Sequence, residues 1–207
     1  MFKRSPVMEK FLKSMQIGFI EWHDGIGYDL DALKELDAQE LKQVESLLIS
    51  RKDGDWRDVE ALAALKTPRA IEALKDCLQS RNLDARLFAV RYLKEMGVVD
   101  RVEEIVVDTL PATKIGKGMT FALSLAKEYP TERIQRKLLW CALQGNDDIR
   151  IHCAAMALYL YGKASSEFDR NQAIVYRFGD KDKAKRAEAF AELCRIVGVS
   201  TEEFGTE

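Results

Sequence analysis

The chain has 207 residues, 47% of them hydrophobic and 32% charged, with only 4 prolines and 12 glycines. A domain of this length buries about 70% of the surface its unfolded chain exposes, and the composition excludes a disordered chain and weighs strongly against an all-β fold. Its 32 basic and 34 acidic residues leave a net charge of −2, divided evenly along the chain, so general attraction to nucleic acid or to an anionic membrane is not expected.

In chain order, Met1-Phe2-Lys3-Arg4-Ser5-Pro6 carries charge but is followed by no apolar core of a signal peptide, and no stretch approaches the roughly 18 apolar residues of a membrane span. A soluble, cytoplasmic protein is the expectation. Ser5 and Pro6 open a helix bearing Met8, Phe11, Leu12 and Met15. The stretch from Trp22 through His23, Asp24, Gly25, Ile26, Gly27 and Tyr28 to Asp29 then concentrates aromatic and polar residues without helical spacing. Residues 1–36 read as an N-terminal helical cap, with Trp22 and Ile26 plugging the apolar end of the helices beyond it and the glycines turning the chain. Trp22 and His23 have a second reading, as part of a binding loop, because rigid aromatics beside charges are common contact residues.

Residues 37–207 read as one continuous domain. Asp37-Ala38-Gln39-Glu40 has the spacing of a capping box, and Leu41, Val44 and Leu48 continue it as an amphipathic helix to about Arg51. After Gly54, the run from Asp55 to Leu62 opens a second helix. Thr67 then caps a helix whose first turn holds Pro68, where a missing N–H does no harm. A partner helix from Leu83 to Met96 puts Ala85, Ala89, Tyr92, Leu93 and Met96 on one apolar stripe before Gly97. Helices near 102–108 and 119–128 come next, separated by a break at 110–113, and a last pair spans 167–176 and 182–197, with Gly179 and Gly198 as punctuation.

Sliding the chain against itself by 64 positions matches Thr67 to Thr131, Arg69 to Arg133, Leu74 to Leu138, Cys77 to Cys141, Asn82 to Asn146, Asp84 to Asp148 and Arg86 to Arg150. A further hairpin lies between the copies, which sets a basic period of 32 residues, a solenoid-like value. The middle copy has glycines, Gly116 and Gly118, where the Asp and Arg would fall. The expected architecture is an all-α, right-handed α-α superhelix of about four to five helical hairpins.

The residues Pro68-x-Ala70-Ile71-x-x-Leu74, followed by Asp84-x-Arg86-x-x-Ala89-x-x-x-Leu93-x-x-x-Gly97, resemble the short HEAT-like repeats of bacterial proteins, the type first noted in phycobilisome lyases. The resemblance covers about residues 37–162, weakens over 163–198 and is absent before Leu36. It implies an architecture shared by scaffolds, immunity proteins, chromophore lyases and a class of DNA glycosylases. It also implies that Asp55 with Arg57, Asp84 with Arg86 and Asp148 with Arg150 are structural, the arginines stacking between repeats and bonding to backbone or carboxylates.

The four cysteines, Cys77, Cys141, Cys153 and Cys194, form no CxxC and read as reduced core thiols. His23 and His152 are the two histidines, and neither has a second ligand at metal-binding spacing. Cys153 and His152 are adjacent on a helix and point about 100° apart, which defeats a nucleophile pair. The His-Glu dipeptides that deoxyhypusine hydroxylase would need are missing. No catalytic residue, metal or cofactor is expected. The expected function is a non-enzymatic scaffold that binds another protein in a concave groove, with neutralisation of a toxin by an immunity protein as the particular role the resemblance implies. The alternative is a HEAT-like enzyme, a chromophore lyase or an alkylated-base DNA glycosylase. The residues expected in the groove are Trp56, Phe88, Arg91, Glu95 and His152, with Asp58 nearby.

Overall fold

The structure is a computed structural model that describes residues 4–204; the first three residues of the expected cap and the last three of the expected repeat region lie outside them. The protein is all-α. Helix, with the 3-10 segments included, accounts for 70% of the described residues, among which the only β-type pairing is an isolated pair of bridges from Lys114 to Lys117 and Gly118. The chain divides into two compact units, Met1–Asp100 and Arg101–Glu207.

In the first unit the Ser5 hydroxyl accepts from the Met8 N–H at 3.1 Å and Pro6 occupies the first turn, so α1 (Pro6–Ser14) starts where its sequence predicts. The short α2 (Phe19–His23) buries none of its side chains. Asp29 caps α3 (Leu30–Lys34), and α3 packs on the buried Met8 and Phe11 face of α1. Phe11 meets Tyr28 edge-on, with centroids 6.2 Å apart. Phe11, Tyr28 and Leu33 therefore form the interior of this segment. Trp22 and Ile26 do not plug it: they are 64% and 48% exposed. The reason is the buried guanidinium of Arg57, which donates to Ile26 O at 2.6 Å and to Glu21 O at 2.9 Å. The backbone of this loop faces inward to satisfy that charge, and its apolar side chains face out.

The helix α4 (Ala38–Arg51) is capped by Asp37, whose carboxylate accepts from the N–H groups of Gln39 and Glu40. Glu40 does not complete a capping box. Its buried carboxylate accepts instead from the N–H and hydroxyl of Ser5, at 2.8 and 2.9 Å, and so fastens the start of α1 to α4. Three further helices complete the unit: α5 (Trp56–Leu65), α6 (Pro68–Cys77) and α7 (Leu83–Glu95). Because α7 packs against both α5 and α6, two of its sides are covered. Leu87, Phe88 and Val90 are buried along with Ala85, Ala89 and Leu93, whereas Tyr92 and Met96 are only partly so.

The second unit opens with α8 (Val102–Thr109), which tightens into a 3-10 turn at Leu110–Ala112. Gly118, in the left-handed region at φ 75°, precedes α9 (Met119–Glu128). The antiparallel pair α10 (Glu132–Gln144) and α11 (Asp147–Leu160) forms the centre of the unit. A 3-10 segment, Ala173–Gly179, then leads to α12 (Lys183–Val197) and a final 3-10 turn, Thr201–Phe204. The α-helix expected over 167–176 does not form. Asp169 accepts from the N–H and hydroxyl of Ser165 and from the N–H of Asn171, a local set of bonds that competes with the helical ladder. At Gly179 a Cβ would stand 2.9 Å from Ile151 Cδ1, so a larger residue there would have to displace the end of that side chain.

The 64-residue offset is visible in the hydrogen bonds. Thr67 and Thr131 accept from Ala70 N–H and Ile134 N–H. Asn82 and Asn146 accept from Asp84 N–H and Asp148 N–H. Each asparagine also donates backwards: Asn82 Nδ2 to Asp53 O and Gly54 O, and Asn146 Nδ2 to Pro111 O and Thr113 O. One side chain thus caps its own helix and ties it to the loop of the preceding hairpin, a pair of tasks that requires both an acceptor and a donor.

Candidate functional site

Two facing helices of the first unit each carry an aromatic and a polar group one turn apart: Trp56 and Glu60 on α5, and Phe88 and Tyr92 on α7. Residues four apart share a helix face, so the four side chains meet. The Trp56 and Phe88 rings stack with centroids 4.9 Å apart and an interplanar angle of 22°, and Phe88 lies 6.1 Å from Tyr92. The Tyr92 hydroxyl donates to Glu60 Oε1 at 3.0 Å. Burial, and then the Glu60 charge, push the Tyr92 pKa well up, so the phenol stays protonated and the pair remains a donor and an acceptor. The Arg57 guanidinium lies over the Trp56 ring, 4.6 Å from its centroid. Arg91 and Glu95 form an ion pair at 3.0 Å on the exposed flank of α7. Beside this row opens a cavity of about 620 Å³, lined by Leu30, Ala63, Ile71 and Met96 and by the polar groups of Glu60, Tyr92 and Glu95.

Of the residues expected in the groove, Trp56 and Phe88 are brought into contact. Phe88 does not open to solvent, however: at 8% exposure it supports the Trp56 ring from below. Tyr92 and Met96, expected in the core, line the cavity instead. Asp58 is 1% exposed, accepts from the Tyr28 hydroxyl at 3.2 Å and pairs with Arg51, so it belongs to the interior; burial raises its pKa. His152 lies in the second unit, half-buried on α11 with its ring 5.2 Å from that of Phe168. Burial lowers its pKa, against the weaker opposing charge of Asp148. Trp22 and His23 pack around the exposed Phe19, and His23 Nδ1 lies 2.8 Å from Asp24 Oδ1.

The Asp-x-Arg elements occupy two different registers. Asp55 is itself the cap of α5, accepting from Arg57 N–H and pairing with the Arg57 guanidinium. Asp84 and Asp148 lie one turn-position inside their helices, and the cap is the asparagine two residues earlier. The arginines donate to backbone carbonyls throughout: Arg86 to Leu78 O, and Arg150 to Phe178 O and Gly145 O, with Asp147 as its ion partner. Glu60 and Tyr92 are not singled out by any sequence motif. Their signal is the pair of four-residue spacings from Trp56 and from Phe88.

All four cysteines are buried, and burial pushes the thiol of Cys77 up to about 12 and that of Cys194 to about 11, far from thiolate formation at neutral pH. Among the described residues no cluster of His, Cys, Asp and Glu could hold a metal ion, and no helix is long and apolar enough to cross a membrane. The arrangement on α5 and α7 is one of flat rings held at fixed angles, with the Arg91–Glu95 pair at the margin. Comparison with protein-family models, with curated proteins and with solved structures finds no match to this chain.

Proposed function

We propose that the chain is a HEAT-like helical-repeat protein that binds another protein through the face formed by α5 and α7. The right-handed superhelix belongs to this reading. It is supported by the two Thr-capped and Asn-capped hairpins at a 64-residue offset and by the asparagines that tie each to the hairpin before it. The observation that carries the binding role is the Trp56–Phe88–Tyr92 row, with the Tyr92–Glu60 bond fixing one end and Arg57 the other. Aromatic rings held rigid in this way lose little conformational entropy on contact and, with Arg91 on the exposed flank of α7, match the composition of protein-binding hot spots. The cavity lining mixes Glu60 and Glu95 with Lys66, and the chain carries a net charge of −2 overall, which does not suit a phosphate backbone. The narrower role is that of an immunity protein occluding a toxin's active site.

The test uses Arg91→Glu and Trp56→Ala, each first matched to the wild type by thermal melting. Binding to the protein captured from the native host should fall about tenfold or more in both variants, with no salt-sensitive affinity for duplex DNA. Unchanged partner binding in both, or tight DNA binding that weakens steeply with salt, moves the function off this face.

A further inference from the structure

A second recognition surface lies on the opposite kind of helix, the first of a hairpin, in the second unit. Arg136, Lys137 and Trp140 lie three, four and seven residues after Arg133 along α10 and so form a single stripe with it. Beside the stripe opens a cleft of about 660 Å³, whose other wall is made by Glu103 and Val107 of α8 and by Glu203 and Phe204. Trp140 is exposed at its rim, with Lys137 Nζ 4.5 Å from its ring centroid.

The repeat itself supplies a control. The offset of 64 places Arg69, Glu72, Ala73 and Asp76 of α6 on the equivalent stripe, and a smaller cleft of about 380 Å³ lies there, lined by those residues and by Ile49 of α4. The scaffold positions Arg69 and Arg133 are the same in both copies. The other positions differ: Glu72, the buried Ala73 and Asp76 on α6 stand where α10 has Arg136, Lys137 and Trp140. The change at Arg136 answers to the turn Thr201–Phe204, which packs on α10 and has no counterpart on α6; Lys137 and Trp140 stack on each other at the rim of the cleft.

The chain already shows what this stripe holds. In the turn Thr201–Phe204, the Glu203 carboxylate pairs with Arg136, and the Phe204 ring sits 5.9 Å from the same guanidinium while meeting Phe190 edge-on at 5.4 Å. A glutamate followed by a phenylalanine is thus taken by one arginine, which binds the carboxylate with its edge and the ring with its face. The open part of the cleft offers the same kinds of group on either side of Arg136: Arg133 and Lys137 for a carboxylate, and Trp140 with Val107 for a ring. Arg133 is engaged by Glu103 at 3.3 Å and Arg136 by Glu132 at 3.8 Å, exposed pairs that exchange partners at little cost.

We propose that the α8–α10 cleft is a docking site for an acidic peptide segment of a partner protein that carries an aromatic side chain next to a carboxylate. A nucleic acid fits less well, because Glu103, Glu132 and Glu203 stand among the three cations and would repel a continuous run of phosphates. The site is independent of the α5–α7 face, and its failure leaves that reading untouched.

The experiment measures fluorescence anisotropy of a labelled peptide with the sequence Thr-Glu-Glu-Phe-Gly titrated with the full chain. Controls are Thr-Gln-Gln-Phe-Gly, Thr-Glu-Glu-Ala-Gly and a single-stranded RNA oligonucleotide. Saturable binding is expected, weakened about tenfold by loss of either the acids or the ring and by Trp140→Ala or Lys137→Glu. Arg133→Glu, at an exposed position, provides a third variant should either of the others melt early. Absence of saturable binding, equal affinity for the glutamine peptide, indifference to all correctly folded variants, or tighter binding of the oligonucleotide would each overturn the proposal.

Discussion

Replacing Asn146 by aspartate separates the two tasks of one amide. Its carbonyl oxygen accepts from Asp148 N–H at 3.1 Å, and its nitrogen donates to Thr113 O at 2.9 Å and to Pro111 O at 3.4 Å. Aspartate caps a helix as well as asparagine does, so a capping role alone predicts almost no change in stability. A carboxylate has no proton for the two carbonyls, and its lone pairs would face theirs. Two side-chain-to-backbone bonds at about 1 kcal/mol each, with the added repulsion, predict a loss of about 2–3 kcal/mol. Asn146→Ala gives up the cap as well, a further ~1 kcal/mol, but brings no repulsion, and should fall in the same range. Asn82→Asp removes contacts of 3.1 and 3.2 Å that water reaches, so its cost should be nearer 1 kcal/mol. Urea unfolding midpoints order the three variants. The Asn146→Asp deficit should narrow as the pH falls toward about 4, where the new carboxyl regains a proton to donate. An Asn146→Asp protein as stable as the wild type, or an Asn82→Asp protein that loses more, would refute the tie between hairpins.

Arg150→Ala should lower stability by about 2–3 kcal/mol, because it leaves Phe178 O and Gly145 O without their buried donor, and urea denaturation with an Arg150→Lys comparison checks it. His152 has its pKa lowered by burial, so the folded protein prefers the neutral ring. The stability it contributes is present above the unfolded value of 6.5 and is lost as pH falls from there through the folded value; unfolding midpoints across that window should decline in the wild type and decline less in His152→Gln. Deleting residues 1–36 would strip Phe11, Tyr28 and Leu33 from the first unit and leave Arg57 without Ile26 O and Glu21 O. Aggregation rather than a soluble, cooperatively melting remainder is expected, as read by light scattering during thermal unfolding.

Helix starts were legible in the sequence because they are local chemistry. Ser5 with Pro6, Asp37, and Thr67 with Pro68 each place an acceptor beside free N–H groups whatever surrounds them. The segment 167–176 misled for a related reason: its apolar spacing is helical, but Ser165, Asp169 and Asn171 offer the backbone other bonds, and periodicity does not weigh that competition. Burial was less legible than secondary structure. A helical wheel assigns Phe88 and Tyr92 to directions, yet which direction is covered depends on how many helices lie alongside, and α7 has two neighbours.

The Asp-x-Arg elements show the same limit at finer scale. The three-residue string is identical at Asp55, Asp84 and Asp148 in its first and last residues, but it starts at the cap of α5 and two residues inside α7 and α11, because in the latter pair an asparagine has taken the cap. That displacement has a physical consequence. Asp55, with no amide, cannot tie backwards as Asn82 and Asn146 do. At the first hairpin the tie to the preceding segment is made instead by Arg57, reaching Ile26 O and Glu21 O from two residues further along. The first unit thereby gains a cation over the Trp56 ring at the second position after the cap, where the Asn-capped helices have Asp84 and Asp148.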